Sequence, residues 1–207
     1  MTGFAHARVV QGAEGRGQDR VHIGDLSDGL LLVVADGAGG TSGGAEAAEL
    51  AVRLIVERTS ALPATAELWC KLLASVDGTI ASSGHGGETT LVAALVDGQG
   101  VRGASVGDSG AWLVDRNGGV DLTRAQRRKP LLGSGAAVAT PFSHSMTSET
   151  LLVATDGLLK YAKPERLCTI ARGEDLEAAV QALLAAVRLR SGALQDDVAA
   201  VLCRRRA

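Results

Sequence analysis

The chain has 207 residues and a formal net charge of -2. That length suits one domain, residues 1–207, and 46% hydrophobic residues with only 2% aromatic ones mean a core of Ala, Val, Leu and Ile. The composition excludes a disordered chain, and the near-neutral charge gives no reason to expect nucleic acid or an anionic membrane as the partner. In chain order, residues 7–10 and 21–23 are short strand candidates with Gly-rich sequence between them. The apolar run at 30–35 predicts a buried strand that ends at Asp36-Gly37. Residues 43–58 predict a helix, with Ala47, Leu50, Ala51, Leu54 and Ile55 recurring on one face. Pro63 is placed to open a second helix running to about residue 81, and Gly84-His85-Gly86-Gly87 breaks the pattern. Strands follow at 89–96, 101–106 and 111–114; Asp97-Gly98 and Asn117-Gly118 between apolar runs predict hairpin turns and antiparallel pairing. Residues 124–139 lack periodicity and predict a loop. A strand at 150–155 is followed by short helices near Leu158 and Pro164. Residues 174–190 predict a helix with Leu176, Val180, Leu183, Leu184 and Val187 on one face, and 197–203 a last strand. This order lacks the alternation of a parallel βαβ sheet and predicts antiparallel sheets covered by helices.

Cys70, Cys168 and Cys203 are widely spaced and form no CxxC pair, which argues against a zinc site or a redox dithiol. Reduced thiols are expected, as in the cytoplasm. Residues 1–11 hold no long apolar stretch of the signal-peptide kind, and no apolar segment is long enough to span a bilayer. Arg204, Arg205 and Arg206 are read as a solvated basic end.

Two segments share one design. The runs Leu30 to Ala35 and Leu151 to Thr155 each end in Asp-Gly, at Asp36-Gly37 and Asp156-Gly157, and each is followed by a helical pattern. A strand that ends this way leaves a carboxylate at its tip, and carboxylates that converge without basic partners hold a divalent cation. Two rival readings of these glycines and acids fail on particular residues. Gly37-x-Gly39 after a strand, with Glu57 further on, resembles a dinucleotide fingerprint, but Ser42 takes the third glycine position and Asp36 would repel a pyrophosphate. Gly107-Asp108-Ser109-Gly110 resembles the surroundings of a serine nucleophile, but His6, His22, His85 and His144 sit in no catalytic context.

The order of the acidic motifs carries more than any one of them. Asp19, Asp36-Gly37-x-Gly-Gly, Gly87-Glu88-Thr89, Gly107-Asp108-Ser109, Asp156-Gly157 and Asp196-Asp197 together resemble the metal-dependent (PPM) protein serine/threonine phosphatases, type 2C, from about Gly17 to Val201. The resemblance implies an α+β fold: an αββα sandwich, two central antiparallel sheets flanked by helix layers. It implies a binuclear Mg²⁺ or Mn²⁺ centre that hydrolyses phosphoserine or phosphothreonine in proteins with a metal-bound hydroxide. Asp36 would bridge the two ions, with the Gly37 carbonyl as a further ligand. Asp19, Asp156 and Asp196 would complete the set, and Asp108 would serve a third ion. The implied partner is a phosphorylated protein met by a monomer. Alternatives on the same site are a small-molecule phosphoester hydrolase and an inactive module that binds phosphoproteins. The chain departs from the family pattern in places. Gln18 stands where Glu is common, Ala38 where some members have His, and Arg16 is the nearest candidate for a phosphate-gripping arginine. The family's flap is reduced to a remnant at 126–135.

Overall fold

The apolar runs at 30–35 and 151–154 have no polar face, so a stable fold must cover both sides of each. The computed structural model does this with two stacked sheets and a helix layer on either side; it describes residues 3–15, 17–27, 29–38, 43–59, 65–84 and 86–206. The elements are β1 (Phe4–Gln11), β2 (Arg20–Leu26), β3 (Gly29–Ala35), β4 (Gly37–Ala38), α1 (Gly44–Arg58), α2 (Ala66–Ser82), β5 (Glu88–Thr89), β6 (Leu91–Asp97), β7 (Gly100–Val106) and β8 (Gly110–Asp115). They continue with β9 (Gly118–Asp121), β10 (Thr140–His144), β11 (Thr150–Ala154), α3 (Asp156–Leu159), α4 (Pro164–Ala171), α5 (Leu176–Val187) and β12 (Val198–Arg205). One five-stranded sheet has the order β10-β7-β6-β3-β2 and the other β1-β12-β11-β8-β9, with antiparallel neighbours throughout.

Strand alternation divides the core into three layers. Leu30, Leu32 and Val34 of β3 meet Leu151 and Val153 of β11 and Ala199, Val201 and Cys203 of β12 between the sheets. The other face of β3, Leu31, Val33 and Ala35, packs with Ala47, Ala51 and Ile55 of α1 and Trp69, Leu73 and Val76 of α2. Leu152 and Ala154 of β11 and Val198, Ala200 and Leu202 of β12 pack with Leu158 of α3, Leu167 of α4 and Val180, Leu183 and Leu184 of α5. This is the αββα sandwich expected from the sequence.

Several boundaries differ from the sequence reading. Pro63 lies outside the described residues; α2 opens at Ala66, where the Thr65 hydroxyl accepts from the Leu68 N–H. The strand expected at 89–96 is broken at Thr90. Its first part, β5, pairs with β4 and its second, β6, joins the main sheet. Asp36-Gly37 therefore enters a two-residue strand before α1, whereas Asp156 is itself the first residue of α3. The helix expected at 174–190 is shorter, because the Asp175 side chain caps the Glu177 and Ala178 N–H groups and starts it at Leu176. Besides β4, the edge strand β10 was not foreseen, and β9 was implied only by the turn at Asn117-Gly118. β9 and β10 are short and weakly apolar, and both add to the edge of a sheet that already exists.

Candidate metal centre

Strand register brings the acidic motifs together. Arg20 pairs with Ala35, so Asp19, just before β2, lies beside Asp36, just after β3. Ala154 pairs with both Gly110 and Ala200, so Asp156, Asp108 and the Asp196-Asp197 pair flank one end of the second sheet. Two side-chain bonds join these ends across the sandwich. The Thr155 hydroxyl donates to Asp19 Oδ2 at 2.8 Å, and Thr90 Oγ1 lies 2.6 Å from Ser109 Oγ.

Each acidic residue is placed by its main chain. The Asp36 N–H donates to Thr90 Oγ1 at 3.0 Å, and its carbonyl accepts from the Thr90 N–H and the Thr89 hydroxyl, both at 2.9 Å. Gly37 pairs with Thr89, and a side chain at Gly37 would run into the backbone of Gly44. Asp156 occupies the first turn of α3, where a carboxylate suits the free N–H groups. The two adjacent acids before β12 divide their work. Asp196 stands close enough to Asp36 and Asp156 to raise the pKa of both. Asp197 instead accepts from the Ala13 N–H at 2.7 Å and the Gln18 N–H at 2.5 Å, and so ties down the loop before Asp19.

The electrostatics are those of carboxyl groups crowded together in a partly buried place. Burial, then the charges of Asp19, Asp156 and Asp196, push the Asp36 carboxyl up to about 9. Burial also raises Asp19, to about 7, with the Thr155 hydroxyl opposing the rise. Asp156 is raised by burial and by its neighbours Asp108 and Asp196. Asp19 is only 3% exposed, and its Oδ1 has no hydrogen-bond partner. Among the described residues, none of these four carboxylates is in an ion pair. Among the same residues, no group of three or more His, Cys, Asp or Glu side chains closes on a point that would hold an ion. The carboxylates thus share one neighbourhood without forming a finished cage, and residues 39–42, which follow Ala38, lie outside the described set. An all-oxygen donor set with an orphaned buried carboxylate oxygen fits Mg²⁺ or Mn²⁺, hard cations that take carboxylates and water.

The remaining sequence candidates are placed as follows. Asp108 borders the cluster, but its Oδ2 accepts from Arg128 Nη2 at 2.7 Å and Nε at 3.2 Å. Ser109 is fully buried, so it has no access to a substrate. Arg16 and His85 lie outside the described residues. Sequence reasoning missed the supporting role of Thr90, Thr155 and Asp197, although each sits next to a residue it had singled out. It also missed Asp77 on α2, which is 4% exposed and accepts from the Gly133, Gly135 and Ala137 N–H groups at 2.7, 3.0 and 3.0 Å. An acid amid apolar helix residues carried no sign of a partner so far along the chain.

A family model described as protein phosphatase 2C matches residues 10–202. No curated protein matches the chain in sequence. Solved structures match it closely in fold at low identity. A bacterial serine phosphatase superposes with TM-score 0.84 at 18% identity, over 98% of each chain. The catalytic domain of the serine/threonine phosphatase PstP, in complex with two manganese ions, gives 0.82 at 19% over 97% of each. The serine/threonine phosphatase Stp1 from Staphylococcus aureus gives 0.82 at 20%, covering 100% of this chain and 96% of its own.

Proposed function

Because the chain belongs to the protein phosphatase 2C family, we propose that it is a one-domain metal-dependent hydrolase of phosphoserine and phosphothreonine in proteins. The observation that carries this reading is the cluster of Asp19, Asp36, Asp156 and Asp196, of which the first three are raised by burial and by neighbouring carboxylates and none, among the described residues, is in an ion pair. Asp36, with the Gly37 carbonyl, Asp19, Asp156 and Asp196 would hold two Mg²⁺ or Mn²⁺ ions. Such a pair, when bound, supplies a Lewis acid for phosphoryl oxygens and acidifies water for attack on phosphorus.

The chain's own contribution is placement. Thr89 and Thr90 fix the main chain of Asp36, and Thr155 holds one oxygen of Asp19 so that the other stays free. Asp197 anchors the turn that carries Gln18 and ends at Asp19. An ion at Asp108 would take Oδ1 or displace Arg128 from Oδ2. Arg16 is proposed to grip the substrate phosphate by two N–H donors, which Arg16→Ala would reveal as a raised KM with metal affinity unchanged. No helix among the described residues is long and apolar enough to cross a membrane. A cytoplasmic monomer meeting phosphorylated proteins is the setting that goes with this reading.

The test is turnover of a phosphothreonine peptide and of p-nitrophenyl phosphate with Mn²⁺, with Mg²⁺ and with chelator. Peptide turnover that chelator removes and Mn²⁺ restores is expected. Turnover of the small ester alone would indicate a small-molecule phosphatase, and metal binding without any turnover an inactive module.

A further inference from the structure

A cavity of about 370 Å³ borders the acidic cluster at Asp156, and its wall includes Arg124, Arg128 and Lys160. The segment between Asp121 and Glu149 holds no acid and carries Arg124, Arg127, Arg128 and Lys129, all four exposed. This basic segment is tied to the site: the Arg127 carbonyl accepts from the Gly107 N–H at 3.2 Å, and Gln126 Nε2 donates to the Ser109 carbonyl at 2.6 Å. Asp77 holds its far end through Gly133, Gly135 and Ala137. Lys160 adds a cation from the other wall. It lies one turn after Asp156 on the same helical face, close enough to feel Asp156 and Asp196, with its ammonium 5.0 Å from the Tyr161 ring centroid.

Three acids line this cavity, and one of them, Asp156, belongs to the acidic cluster. Asp108 is paired with Arg128, and Asp121 accepts from the Thr123 N–H and hydroxyl, both at 2.8 Å. Among the described residues, neither Arg124 nor Lys160 has a carboxylate within ion-pair distance. An exposed cation without a partner, beside a site that receives an anion, attracts further anionic groups on the same molecule.

We infer that this basic rim selects phosphopeptides with anionic side chains, carboxylate or a second phosphoryl group, flanking the residue to be hydrolysed. The inference rests on the phosphatase reading given above and adds a substrate class to it. The phosphorylated residue enters the acidic, cation-holding floor while its flanks lie along Arg124 and Lys160. Charge complementarity sets the preference, so salt weakens it.

The test uses four phosphothreonine peptides with one core, flanked by Glu, by Ala, by Lys, or by a second phosphothreonine. With saturating Mn²⁺, kcat/KM for the Glu-flanked peptide is expected to exceed that for the Ala-flanked one by about fivefold, the yield of two or three exposed pairs, and to converge with it near 0.5 M NaCl. Whether Glu or phosphothreonine flanks gain more identifies the source of the anion. Arg124→Glu combined with Lys160→Glu should reverse the order of the Glu- and Lys-flanked peptides. Arg166→Glu, on α4 away from the cleft, should leave that order as it is. A second readout needs no turnover: fluorescence anisotropy of a labelled Glu-flanked peptide bearing a non-hydrolysable phosphonate, titrated with protein in Mn²⁺. Its Kd should rise about fivefold in the double variant. Equal affinity for that probe before and after charge reversal overturns the inference. Wild-type protein that binds it in a charge-dependent way but hydrolyses neither the peptides nor p-nitrophenyl phosphate overturns the phosphatase reading instead.

Discussion

The floor of the cleft and its rim are built in opposite ways. Asp19, Asp36, Asp156 and Asp196 stand at the ends of paired strands, where ladder register and the hydroxyls of Thr90 and Thr155 set their positions. The rim, residues 122–139, has no long element of its own and depends on single anchors such as Asp77 and Gln126. The floor is acidic, with Asp19 buried and Asp36, Asp156 and Asp196 half-buried, whereas the basic side chains of the rim are exposed. Chemistry that must hold reacting groups to fractions of an ångström sits on the rigid part, and discrimination among partners is left to the loop.

Breaking the floor has the largest expected effect. Asp36→Ala should lower turnover of a phosphopeptide in Mn²⁺ by about a thousandfold or more, since Asp36 is the residue proposed to hold both ions and metal ions supply several kcal/mol of charge stabilisation. The same change should stabilise the metal-free protein, because it removes a carboxyl held up to about 9 by burial and by Asp19, Asp156 and Asp196. A carboxyl raised on folding contributes stability that is complete below its unfolded pKa near 3.8 and is lost as pH rises through its folded value. Melting temperatures in chelator should therefore fall in the wild type between about pH 4 and about pH 9. They should fall less in Asp36→Asn, with about 2–4 °C gained for each kcal/mol relieved.

Asp77→Ala comes next and attacks the anchor of the rim. Three N–H groups lose a buried acceptor, so urea unfolding should report a loss of about 3 kcal/mol. Hydrogen exchange at Gly133, Gly135 and Ala137 should rise before that at β3. Slow exchange there in the variant would mean that the rim is held by more than its anchors. Thr155→Val leaves Asp19 without its donor, and Mn²⁺ affinity by calorimetry should fall about tenfold. Arg128→Gln should have the smallest effect on stability. Its side chain is 74% exposed, and the urea midpoint should stay within error of the wild type, since exposed pairs contribute little.

The sequence made the floor legible and the rim opaque for one reason. Leu30 to Ala35 and Leu151 to Ala154 are apolar on both faces, so burial alone identifies them as strands and places the acid that follows each. The rim has no periodicity to read, and Asp77 sits 56 residues before the first N–H it holds. Residue type alone does not separate Asp196 from Asp197, and it is the family resemblance that puts Asp196 among the ligands. Only the fold shows that Asp197 is turned to Ala13 and Gln18. The break at Thr90 was hidden as well, because Thr89 and Thr90 suit a strand on either side of it.

The pairing of β1 with β12 along its whole length, from Phe4 with Arg205 to Gln11 with Val198, has a consequence for biosynthesis. β12 is an interior strand of its sheet and is preceded directly by Asp196 and Asp197, so a nascent chain that has not yet released residues 196–205 lacks the partner of both β1 and β11. The other sheet, with α1 and α2, can close on the ribosome once His144 has emerged, but it then exposes the apolar face of Leu30, Leu32 and Val34. The acidic cluster is therefore assembled only once residues 196–205 have left the ribosome, and contacts as distant as Ala13 with Asp197 place the chain among slow folders. Until that step the half-built sandwich leaves Leu30, Leu32 and Val34 open to aggregation.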